Sequence, residues 1–156
     1  MKNVKLIKWI ASLVGAAAVI GIGVAAYLWF MPHRDVQAQK PDLEIGSTEL
    51  VKRYLQDPTA ANAFFLREDG DSKILAISGT IGNIMKNQAG AVVVRLAEPA
   101  AKAGVLCTLT DSASASAGNL QVGQTITLKG VIRAGAEFDD LMGIYIDAVM
   151  DECAPL

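Results

Sequence analysis

The run Leu75, Ala76, Ile77, Ser78, Gly79, Thr80, Ile81 decides the fold of this 156-residue chain, because its large apolar side chains fall on alternate positions. A period of two puts Leu75, Ile77 and Ile81 on one face of a strand and Ala76, Ser78 and Thr80 on the other. Gly79 lies on the apolar face, where the wall of a small barrel must bend sharply. The alternation recurs downstream. Val92, Val94 and Leu96 form a second inward set, Val105, Cys107 and Leu109 a third, and Ile126, Leu128, Gly130 and Ile132 a fourth. A fifth strand is expected with Ile144, Ile146 and Ala148 inward. Asn87, Gln88, Ala89 and Gly90 carry the turn after the first strand, and Gly104, Gly123 and the stretch 135–140 mark the other connections.

Ahead of the strands the period is helical. Ser47 is an expected N-cap, and Leu50, Val51, Tyr54 and Leu55 share one helix face. Asp57 then caps a second short helix with Pro58 at its first position, burying Ala61, Phe64 and Phe65. Between the third and fourth strands, residues 111–118 (DSASASAG) form either a short capped helix or a loop. Two helices, three strands, a break and two more strands match the five-stranded Greek-key barrel called the OB-fold. The expected class is therefore all-β with flanking helices; the alternative is an open five-stranded sheet packed on the helices.

The N-terminal third has a different character. Residues 9–31 (WIASLVGAAAVIGIGVAAYLWFM) contain no Asp, Glu, Lys, Arg or His, and 23 residues at about 1.5 Å each cross about 30 Å of hydrocarbon. Trp9, Tyr27 and Trp29 sit where interfacial aromatics are found, and Pro32 follows as a stop. Lys2, Lys5 and Lys8 precede the stretch, against Arg34 and Lys40 after it, so the basic end is expected to stay in the cytoplasm. This gives residues 1–8 as a cytoplasmic tail, 9–31 as a signal-anchor in the lipid bilayer, 32–44 as a polar linker, and 45–156 as a periplasmic domain at a bacterial inner membrane. A cleaved signal peptide, with Val36, Gln37 and Ala38 at the cleavage site, is the rival; the long apolar stretch argues against it. Ala17, Gly21 and Ala25 form a small-residue stripe on which two such helices can pack in weak self-association.

Charge and composition exclude several classes. From Asp35 onward, ten Lys/Arg face sixteen Asp/Glu, a balance of −6, and the aromatics are Tyr54, Phe64, Phe65, Phe138 and Tyr145. Nucleic acids are held mainly by neutralising phosphates, so none is expected as a partner. The single histidine, His33, lies beside the apolar stretch, which leaves no Ser-His-Asp or Cys-His pair for catalysis and no zinc or haem ligand set. No catalytic residue, cofactor or metal is expected. Glu137, Asp139 and Asp140, with Asp69 and Asp71, read as solvated turns, without the spacing of a calcium loop.

In order and spacing the chain resembles the bacterial tRNA-anticodon-like OB-fold family, small membrane-anchored or lipoprotein-type proteins of uncharacterised function. The resemblance rests on Glu49, Leu50 and Tyr54 in the leading helix, Ile77, Gly79, Ile81 and Ile84 in the first strand, and Val105 and Cys107 in the third. Gly123, Gln124, Ile126, Leu128 and Gly130 complete it in the fourth. Members often carry a cysteine within the last strand, where this chain has Ala148, and the acidic turn at 68–71 lengthens the approach to the first strand. The family name records likeness to an anticodon-binding fold, and a fold does not assign an activity.

In an OB barrel the third and fifth strands are neighbours, so Cys107 and Cys153, the latter read as just beyond the fifth strand, are either a disulfide pair or a core thiol and a tail thiol. The expected function is a non-enzymatic interaction module, an accessory or assembly subunit of a cell-envelope complex with a protein partner. The alternative is a barrel for an oligosaccharide or other small ligand on the face carrying Val93, Arg95, Leu106 and Thr108.

Overall fold

Strand β2 (Ile74–Lys86) is long enough to serve both ends of a barrel wall. Its first half pairs antiparallel with β5 (Thr125–Ala134) and its second half with β3 (Val92–Leu96). The computed structural model describes residues 2–30, 34–68 and 71–156. From β3 the ladder runs antiparallel to β4 (Val105–Leu109), parallel from β4 to β8 (Ala148–Pro155), and antiparallel from β8 back to β5. These five strands close in the order β2-β3-β4-β8-β5, the OB-fold barrel expected from the alternation. A short strand, β1 (Leu43–Gly46), adds parallel to β2.

The inward sets hold where the strands are regular. Leu75, Ile77, Ile81, Val94, Leu96, Val105, Cys107, Leu128 and Ile132 are buried together with Tyr54 and Phe65. Helix α2 (Ser47–Gln56) presents Leu50, Val51 and Tyr54 to this core. Helix α3 (Pro58–Phe65) starts as expected, with the Asp57 carboxylate accepting from Ala60 N–H at 2.9 Å. The stretch after β4 is helix α4 (Asp111–Ser116), capped by Thr110.

Four expectations change. The fifth barrel strand is β8, with Ala148, Met150 and Cys153 inward; Ile144 and Ile146 instead belong to β7 (Ile144–Ile146), which pairs with β6 (Glu137–Asp139) in a separate hairpin. Cys153 thus lies inside the last strand rather than past it. Ser47 is the first residue of α2, not its cap; it is buried against Gly79, where an added Cβ would collide with the Ser47 hydroxyl oxygen. Phe64 is exposed, edge-on to Phe65, with Lys73 Nζ 3.4 Å from its ring centre.

The segment read as a linker is also partly packed. Val36 is buried against Ile74 and Val131 on the outside of β2 and β5. Lys129 Nζ donates to the carbonyls of Gln37 (2.7 Å) and Gln39 (3.1 Å), and Asp42 exchanges two bonds with the backbone of Ile74. This strap explains why Ile74 and Val131, which face outward, are as buried as the core.

Helix α1 (Lys2–Trp29) belongs to a separate compact unit, Met1–Arg34; the barrel unit is Asp35–Leu156. Among the described residues no helix is long and apolar enough to cross a membrane. The side chains of 2–13, 16 and 28, and residues 31–33, lie outside the described residues, and with them Lys2, Lys5, Lys8, Trp9, Pro32 and His33. Asp69 lies outside them too. Ala17, Gly21 and Ala25 are exposed on α1.

Candidate functional site

Between β5 and β8 the chain leaves the barrel wall as the β6–β7 hairpin. Asp139 shapes its turn: one carboxylate oxygen accepts from the N–H groups of Leu141 (2.8 Å) and Met142 (2.9 Å), and its carbonyl accepts from Gly143 N–H at 2.7 Å. Gly143 has φ +68°, which an L side chain rarely adopts. The turn holds Leu141 at 99 % exposure and Met142 at 64 %. Behind them the rings of Phe138 and Tyr145, directly paired across the hairpin, lie 4.7 Å apart. Such a run of exposed large apolar side chains at one tip is uncommon on a free surface. Among the described residues no acidic cluster is arranged to hold a metal, and Asp139 is occupied by the turn.

Asp147 anchors the hairpin where it rejoins the barrel. Its carboxylate takes two bonds from the Arg95 guanidinium (2.6 and 3.0 Å) and one from Gly104 N–H (2.6 Å), so β3, the entry to β4 and the exit of β7 are tied at one point. Burial alone would raise the Asp147 pKa, but the bonds from Arg95 and Gly104 outweigh it and hold the group below the usual carboxylate range. The same bonds, donated by Arg95 to Asp147, raise the Arg95 pKa further.

Beside the hairpin runs an apolar groove of about 350 Å³ between α2 and the segment entering β4. Thr48, Val51, Lys52, Leu55 and Gln56 line one side, a single stripe at helical spacing, and Ala101 to Ala103 line the other. Lys102 joins groove to hairpin: its ammonium donates to the Tyr145 hydroxyl at 3.4 Å and lies 5.2 Å from the centre of that ring. A cavity of about 370 Å³ between α2 and α3 is a weaker candidate, because Arg53 at its rim is already paired with Glu49 at 3.0 Å.

The four residues of the expected ligand face do come together, Val93 opposite Thr108 and Arg95 opposite Leu106 across β3 and β4. Arg95, however, is engaged by Asp147, which makes it a positioning residue for the hairpin. Cys107 and Cys153 are both fully buried free thiols on neighbouring strands. Tyr54 is buried against Gly135, its hydroxyl has no partner among the described residues, and burial pushes its pKa up to about 12.

The family model described as tRNA_anti-like matches residues 1–141, most of the chain. The chain belongs to the tRNA_anti-like family. No curated protein matches it. The tRNA_anti-like match takes in α1, α2 and the barrel through β6 and ends at the hairpin tip, so β8 and Cys153 lie beyond it.

Sequence reasoning missed Leu141, Met142, Lys102, Tyr145 and Asp147. A signal for the hairpin was present: two short apolar segments around Asp139, Asp140 and Gly143 have the spacing of a hairpin with a longer loop. The groove had none, since its two walls are about fifty residues apart in sequence.

Proposed function

We propose that this chain is a membrane-anchored, non-enzymatic interaction module whose OB barrel docks a protein partner of the cell envelope through the groove and hairpin joined at Lys102. The observation that carries this reading is the exposure of Leu141 and Met142 on a turn that Asp139 and Gly143 hold in place. A rigid apolar tip beside an apolar groove has the anatomy of an interface core, where a few large side chains carry most of the energy. Lys52 and Lys102 at the groove ask for acidic groups beside the partner's apolar ones. The anchor is supported by residues 9–31 having no Asp, Glu, Lys, Arg or His and by the exposure of Val14, Val19, Ile20, Ile22 and Val24 along α1. Confinement to a surface raises effective concentration, so a modest docking patch suffices.

The test compares the full chain with Leu141→Ser/Met142→Ser after detergent extraction. Wild type retains a defined co-purifying protein that the variant loses, while both variants fold and pellet with membranes after carbonate washing. A partner retained equally by both, or a chain released by carbonate, contradicts the reading. A second reading, an oligosaccharide-binding barrel, is favoured by the exposed Phe138–Tyr145 ring pair on the hairpin. A glycan hit on an array that Tyr145→Ala abolishes would establish it.

A further inference from the structure

Strand β8 breaks its own alternation at one point. Ala148 and Met150 face the core, and a period of two would bring Glu152 in next. Instead Cys107 pairs with Met150 and Leu109 with Cys153, so β8 uses three steps where β4 uses two. The extra residue forms a bulge at Glu152, whose φ of +54° lies in the left-handed region. A bulge of this kind re-aims the side chains that follow it. Here it keeps the Glu152 carboxylate outside and turns Cys153 inward on the strand beside Cys107, and that neighbouring thiol, together with burial, pushes the Cys153 pKa up.

The strand on the other side of β8 leaves room for the sulfur. A Cβ at Gly130 on β5 would lie 2.5 Å from Cys153 Sγ, so only glycine fits beside that thiol. Both thiols are fully buried, and the Cys153 thiol donates to the Asp151 carbonyl at 3.8 Å.

We propose that Cys107 and Cys153 are a disulfide-forming pair that staples the last strand, β8, to β4 inside the barrel. A disulfide oxidant, small or protein-borne, supplies the chemistry. The thiolate of one cysteine attacks a sulfur of that oxidant and displaces one thiol. The second cysteine then attacks the mixed disulfide and displaces the other. Two S–H bonds and one S–S bond break, one S–S and two S–H bonds form, and the electrons leave on the reduced oxidant. Full burial places this exchange during folding, before β8 closes the wall. Its occurrence in the cell rests on the proposed export of the domain, whereas the pairing itself rests on the bulge, Gly130 and the burial of both thiols on paired strands.

The full chain is refolded in detergent across a series of reduced to oxidised glutathione ratios, acid-quenched, then alkylated in denaturant and weighed. The expected oxidised species is monomeric, lacks two hydrogens, takes no alkyl group and yields a peptide linking Cys107 to Cys153. Closing a loop of about 45 residues raises its melting temperature by about 10 °C or more over the reduced chain. Two alkylated thiols at every ratio, glutathione adducts without a cross-link, or an oxidised chain melting no higher than the reduced one overturns the proposal. The same alkylation on acid-quenched cells separates the two readings: free thiols in cells, with the link forming in vitro, overturn export and leave the pair standing.

Discussion

Asp147→Ala removes, in one substitution, the carboxylate that receives two bonds from Arg95 and one from Gly104 N–H. The Arg95 and Asp147 side chains are 27 % and 16 % exposed, so solvent recovers part of the loss. A charge-assisted bond contributes about 1.5 to 3 kcal/mol, and an orphaned backbone N–H costs about 1 to 3. Allowing for partial exposure, the variant should lose about 2 to 4 kcal/mol in urea unfolding followed by far-ultraviolet circular dichroism. A double-mutant cycle with Arg95→Ala should return a coupling of about 1 to 2 kcal/mol, because the Gly104 term is absent from the pair. The folded-state pKa of Asp147 is depressed, so its stabilisation is present above about pH 4 and disappears as pH falls through the folded value. Arg95 remains charged throughout. Wild type should therefore lose more stability on acidification than Asp147→Asn does. A coupling below about 0.5 kcal/mol, or equal acid sensitivity of the two proteins, would refute the assignment of Asp147 as the hairpin's anchor.

Three further outcomes follow from the packing. Tyr54→Phe deletes a buried hydroxyl without a partner and should be neutral or stabilising, whereas Tyr54→Ala should cost about 3 to 5 kcal/mol in the same unfolding assay. Val36→Ala removes two buried methyl groups, at about 0.8 kcal/mol each, and should expose the strap over 35–42 to limited proteolysis while the barrel stays resistant. Leu141→Ser/Met142→Ser should shift stability by less than about 0.5 kcal/mol, since neither side chain is buried, so that any lost binding reports the surface itself.

What the sequence revealed, and what it hid, has a physical pattern. Val105 to Leu109 obey a period of two without interruption, Val92, Val94 and Leu96 keep it although Val93 between them is buried as well, and both strands stand where the alternation puts them. The fifth strand was misplaced because Ile144 and Ile146 look like a core pair, while the true strand carries Asp151 and Glu152 and spaces its inward residues unevenly around a bulge. Val36 is a lone apolar residue among polar ones, so no period announced that it packs on Ile74 and Val131. The groove and the Arg95–Asp147 anchor join residues from separate elements, which is information the closed barrel supplies and local pattern does not.

The central claim, that groove and hairpin form one docking surface, is tested most directly by a photo-crosslinking side chain placed in intact cells at Leu55, Leu141 or Lys86. Leu55 and Leu141 lie on the two parts of the surface, and Lys86 is exposed at the end of β2. The account predicts one adduct of the same mass from Leu55 and Leu141 and none from Lys86. No adduct from the first two, or an equal one from Lys86, would contradict it.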